Sequence, residues 1–204
     1  MHISEGILSA PILISGGALT ACGTLIGLKK LDTDRIMSVS MLTATFFVAS
    51  LIHVPIGPTS VHLVLNGLLG IMLGWVSFPA VLIGLLMQAI FFQYGGLIVL
   101  GVNTVNMALP AVAVFYLVRP LMKRSDGRPK MRMLAGFIGG SAAVLLSAIC
   151  MALSLAFTDW GFLTTAKVSI IANIPVMIIE GLITMFVISF VSRVHPDLIA
   201  ELNS

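Results

Sequence analysis

Residues 133–157 read MLAGFIGGSAAVLLSAICMALSLAF, with no charged side chain anywhere in the stretch. A helix rising 1.5 Å per residue needs about 20 apolar residues to cross a hydrocarbon core of about 30 Å. This run is long enough, and its polar members are small serines. Six more apolar runs lie near 7–28, 36–52, 61–77, 79–97, 101–121 and 168–192. Of the 204 residues, 58% are hydrophobic and only 9% are charged, against about a quarter charged in a soluble domain. The sequence therefore predicts an all-α polytopic membrane protein: a single bundle of about seven transmembrane helices forming one domain over 1–204. The least certain boundary is QYGGLIVLG at 93–101, whose glycines predict a tight or broken connection.

Basic residues set the expected orientation, because cytoplasmic loops retain Lys and Arg. Lys29, Lys30 and Arg35 fall between the first two runs. Arg119, Lys123, Arg124, Arg128, Lys130 and Arg132 flank the connection from the fifth to the sixth, and Arg193 follows the last. With seven crossings, only Lys167 falls on the other side. The N-terminus is then expected outside and the C-terminus in the cytoplasm. Met1 to Glu5 lacks a basic lead and a small-residue cleavage site, so the N-terminus is expected to be retained.

Small residues recur at four-residue spacing in Gly23/Gly27, Gly70/Gly74 and Gly136/Gly140. In lipid, such pairs let helix backbones approach closely, and packing explains them without chemistry. Cys22 and Cys150 stand alone in apolar stretches and read as small hydrophobes. A net charge of +3 is too small to suggest a nucleic-acid partner. There is no GxxxxGK[ST] phosphate loop, no HExxH and no GxSxG. The chain is not expected to be an enzyme, and any ATP-driven work needs another subunit.

The chemistry concentrates in the histidines. His2, His53 and His62 all fall on the expected outer face, and only His195 lies opposite. A histidine at position 2 has a geometric consequence. The α-amine of Met1, the amide nitrogen of His2 and the Nδ1 of His2 can wrap one metal in a five- and then a six-membered chelate ring. One equatorial position stays open for a fourth ligand, for which His62 is the first candidate and His53 the second. Such an all-nitrogen set suits Ni(II) or Cu(II), and imidazole also suits cobalt and zinc. The opposing reading makes His2 an ordinary polar residue at the membrane interface. The loop HVPIGPTSVH at 53–62 holds Pro55, Gly57 and Pro58, which stiffen its backbone or simply mark a turn. Its Thr59 and Ser60 can hydrogen-bond the unligated nitrogen of a metal-binding imidazole.

Other polar residues lie at membrane depth: Asn66, Gln88, Gln93, Asn103, Asn106, Asn173 and Glu180. Asn103 and Asn106 open the fifth run near the outer face, where they can cap a helix beneath the site or hold a loop above it. Glu180, central in the last run, reads as an interhelical hydrogen-bonding group or as a proton relay.

Four segments together carry a resemblance: MHISEG at 1–6, HVPIGPTSVHLVLNGLLGIMLGW at 53–75, QYGGLIVLGVNTVNMALP at 93–110, and IPVMIIEGLIT with VHPDL at 174–184 and 194–198. They resemble the CbiM/NikM family, the substrate-binding membrane components of energy-coupling-factor transporters for cobalt and nickel. The resemblance spans essentially the whole chain. It implies metal held by the N-terminal amine, the amide and imidazole nitrogens of the second residue, and a histidine before the third span: Met1, His2 and His62 here. It implies a transported ion, Co(II) or Ni(II), and no cofactor. It also implies residence in the cell membrane with a transmembrane coupling protein, cytoplasmic ATPase subunits and a possible small accessory membrane subunit. The chain departs from many relatives in reading Gln93-Tyr94 and Asn173 where a histidine stands in those proteins, which bears on the choice of metal. The competing classes are a vitamin-type binding component or ATP-independent permease, and an intramembrane enzyme using Glu180.

Overall fold

The structure, a computed structural model, describes residues 2–56, 59–125 and 128–195, with backbone alone at 53–56, 59–62, 163 and 166. Helices α1 (Ala10–Lys29) and α2 (Ile36–Ala49) come first. A small antiparallel hairpin follows, β1 (His53–Ile56) with β2 (Thr59–His62). Then come α3 (Asn66–Leu73), α4 (Ser77–Phe92), α5 (Leu100–Arg124), α6 (Pro129–Ala156), α7 (Leu163–Ala172) and α8 (Ile174–Val194).

By length and composition, five helical stretches among the described residues suffice to cross a membrane: 10–29, 66–92, 100–124, 129–156 and 160–194, of which 66–92 is two helices, α3 and α4, joined by a reversal. Their outward faces are apolar as well. Ile14 is 73% exposed, Phe157 72% and Phe190 65%. Faces of this kind would aggregate in water, and they suit a molecule solvated by lipid tails. The chain is a multi-pass membrane protein.

Two of the sequence's runs take a different form. The run at 61–77 is not a full crossing, because helix occupies only Asn66–Leu73. Its eight residues span about 12 Å, under half the hydrocarbon thickness. Strand β2 and an irregular segment take up the rest. Along α3, Asn66 meets Met107, Gly70 meets Ala111 and Gly74 meets Phe115, so α3 descends beside α5 in the same direction. Gly74, at φ 54°, then reverses the chain. Helix α4 climbs back along α1, with Phe78 against Gly23 and Pro79 against Gly27. A left-handed φ costs an L-residue about 1–2 kcal/mol, which is why glycine sits at this reversal. Gly74 is thus a turn residue, whereas its spacing partner Gly70 packs against a backbone as expected. The last run begins earlier than its hydropathy suggested: α7 leads into α8, with Asn173 and Pro175 at the joint. Proline lacks an N–H and interrupts the ladder there.

The packing is driven by close backbone approach. A Cβ on Gly140 would lie 2.5 Å from the Glu180 carbonyl oxygen, and one on Gly136 3.0 Å from Met185 Cα. Gly181 answers from α8 against Ser141 and Phe137. The α6–α8 pair is held further by Ser141 Oγ donating to the Met177 carbonyl at 2.9 Å. Leu69, Val81, Met107, Val114 and Ile188 fill the centre of the bundle.

Candidate metal centre

The first residues turn back into the bundle. Ile3 is buried and packs with Leu8, Val99, Val102, Met151 and Leu155. Its backbone is gripped by the Asn103 carboxamide: Ile3 N–H donates to Oδ1 at 3.0 Å, and Nδ2 donates to the Ile3 carbonyl at 3.0 Å. An asparagine side chain here imitates a peptide strand and satisfies both polar groups of a buried residue. Glu5 adds a second hold, its Oε1 accepting from Ile98 N–H at 2.9 Å. His2 stacks on Tyr94, with ring centroids 6.3 Å apart and 20° between planes.

The connection after α4 is shaped to admit this segment. Gly95 and Gly96 sit at φ 75° and 119°. A Cβ on Gly95 would come within 2.9 Å of Asn103 Nδ2 and 3.7 Å of His2 Cβ, and a Cβ on Gly96 would collide with Glu5. The glycines flagged as a tight connection therefore make room for the chain end.

The hairpin of residues 53–62 leads into the segment before α3. In its register His53 faces His62, Val54 faces Val61, and Pro55 faces Ser60. After β2, the Val64 and Leu65 amides donate to the carboxylate of Glu180, Leu65 at 2.9 Å to Oε1 and 3.0 Å to Oε2. Asn66 then opens α3, its Nδ2 donating to the Met107 carbonyl at 3.2 Å and to Ser147 Oγ at 2.7 Å. Asn103 and Met107 stand one turn apart on one face of α5. The residue after His2 and the fourth residue after His62 are thus fastened to adjacent levels of a single helix, about 6 Å apart along its axis.

Of the residues singled out from the sequence, Asn103 joins the His2 segment directly. Asn106 does not: its Oδ1 accepts from Ser154 Oγ at 3.2 Å, an α5–α6 contact. His53, Ser60 and His62 have described backbone only, and Met1, Gly57 and Pro58 lie outside the described residues. Among the described residues no three His, Cys, Asp or Glu side chains gather as a metal cluster. Tyr94, Glu5 and Ile3 went unnoticed as supporting residues; the glycine pair beside Tyr94 was the available signal.

Comparison with known proteins bears on what this arrangement serves. Residues 2–198 match the family model described as the cobalt uptake substrate-specific transmembrane region. A putative metal transport protein of Haemophilus influenzae is 43% identical, with 97% of this chain and 96% of that protein aligned. A fused nickel transport protein, NikMN, of Rhodobacter capsulatus is 32% identical over 98% of this chain and 64% of its own length. The crystal structure of a truncated transition metal transporter superposes with a TM-score of 0.82 at 27% identity, covering 96% of this chain and all of that one.

Proposed function

Because the chain belongs to the cobalt uptake substrate-specific transmembrane family, we propose that it captures Co(II) or Ni(II) outside the cell and passes the ion inward as the substrate-specific subunit of an ATP-driven importer. The ligands are four nitrogens: the α-amine of Met1, the amide and Nδ1 of His2, and the imidazole of His62. His53 and Ser60, which face His62 and Pro55 in the hairpin register, are the reserve ligand and a supporting hydroxyl. The single observation that carries this reading is the common attachment of both ligand segments to α5, through Asn103 and Met107. It ties Ile3 and Asn66, which follow the proposed ligands His2 and His62 by one and four residues, to neighbouring turns of α5.

The chain's own residues do the binding and orienting. Asn103 fixes the backbone of Ile3, and so the direction from which His2 presents its amide and ring. Tyr94 lies beside that ring and nearly parallel to it, with centroids 6.3 Å apart. The nitrogen-only donor set, whose amide nitrogen binds after losing its proton, favours late first-row divalent ions over Mg(II) or Ca(II), which prefer oxygen. The family's ATP-driven arrangement supplies the energy: a transmembrane coupling protein and cytoplasmic ATPases, with the basic connection at 119–132 turned toward them.

The test is titration calorimetry with NiCl2 and CoCl2 on the untagged protein and on His62→Ala. Removing a ligand should weaken binding by more than the roughly 10–100-fold typical of losing an outer-shell partner. Unchanged affinity in His62→Ala would remove that residue from the site and the proposal with it.

A further inference from the structure

Glu180 is wholly buried, with 0% of its surface exposed. Its carboxylate is spent on backbone: the amides of Val64 and Leu65, more than a hundred residues away in sequence, both donate to it. Those amides precede α3, at the positive end of its peptide dipoles, where a carboxylate is stabilised. They also follow His62 by two and three residues.

The backbone held there is itself unusual. Leu65 adopts φ 49°, ψ 14°, a left-handed conformation that a branched, buried L-residue does not take freely. Such a conformation persists only where its surroundings dictate it. Glu180 is well placed to dictate it, because α8 is fixed against α6. The Glu180 carbonyl sits over Gly140, Gly181 packs on Phe137, and Ser141 bonds the Met177 carbonyl.

We propose that Glu180 is a positioning residue: through the Val64 and Leu65 amides it ties the backbone following His62 to the α6–α8 pair, and so sets where the His62 imidazole meets the metal. This rests on the metal-capture reading above. A ligand held on a loosely fixed segment would lose affinity through disorder, whereas a clamped one is preorganised.

The experiment compares the full-length protein in detergent with Glu180→Gln, Glu180→Asp and Ser141→Ala. The last loosens the same helix pair without touching the loop. Three readouts are taken: amide hydrogen exchange of residues 59–68 without metal, NiCl2 affinity, and the Ni(II) ligand-field spectrum at saturation. Glu180→Gln should exchange faster across 62–66 and bind about 10–100-fold more weakly. Glu180→Asp keeps the charge but draws it back by one methylene. It should therefore bind more weakly than wild type and shift the ligand-field spectrum, which a loss of stability alone would not do. Ser141→Ala, which leaves the Glu180 carboxylate and the loop amides in place, should lose less affinity than Glu180→Gln and keep the wild-type spectrum. Wild-type exchange and affinity in Glu180→Gln, or an equal loss in Ser141→Ala, would overturn the clamp. If His62→Ala abolishes binding while Glu180→Gln does not affect it, only the clamp fails. If the wild type binds neither ion, the metal-capture reading fails, and the exchange measurement alone decides whether Glu180 holds the loop.

Discussion

A single carboxamide carries the most consequential contact at the residue scale. Asn103 meets both polar groups of Ile3 and leaves the His2 backbone little freedom. Asn103→Ala should weaken nickel binding about 10–100-fold while the helical circular dichroism stays unchanged; calorimetry that shows no loss would take Asn103 out of the site. Gly95→Ala should act in the same direction, because its Cβ would press on Asn103 Nδ2 from a left-handed backbone position. At this scale the sequence was partly legible. Chelate geometry drew attention to His2, and the structure joins Asn103, singled out for its depth near the outer face, to the neighbouring Ile3. The Glu180 pairing with Val64 and Leu65 was not legible, because an apolar run with one carboxylate says nothing about which distant amides will meet it. Neighbours on one helix point to different partners, and Asn106 accepts from Ser154 Oγ rather than joining Ile3.

Elements were easier to read than their shapes. Hydropathy located the apolar runs because lipid demands unbroken apolar surface over a fixed thickness. It could not distinguish a membrane-deep half-helix from a full crossing, since the residues of 61–77 are apolar whether strand, loop or helix. Helix α3 is short because its entry is fixed by Glu180 and its exit by the Gly74 reversal. Gly74→Ala should therefore destabilise the fold by about 1–2 kcal/mol, read as a lowered unfolding midpoint in detergent. Gly140→Val should cost about 1–3 kcal/mol or more, because its side chain would drive α6 away from the Glu180 carbonyl. Melting curves that overlay wild type for Gly140→Val would mean that the α6–α8 contact is looser than described.

At the scale of the whole molecule, the proposed site draws its two ligand segments together against an apolar helical bundle. Imidazole must be neutral to bind metal, and the α-amine must lose its proton. Protons therefore compete with the ion, and affinity should fall as the pH drops through about 6.5 and below. A binding isotherm unchanged between pH 8 and pH 5 would argue against histidine ligation. Copper(II) should outbind nickel, and nickel should outbind cobalt, in competition on the purified protein, following the general order for nitrogen sites. The measurement that reaches the centre of the account is calorimetry on two proteins differing by one residue placed ahead of Met1. The account predicts tight nickel or cobalt binding to the unextended chain and its loss in the extended one, with thermal unfolding of the metal-free forms unchanged. Equal binding by both would show that the α-amine of Met1 is not a ligand, and would contradict the site as drawn.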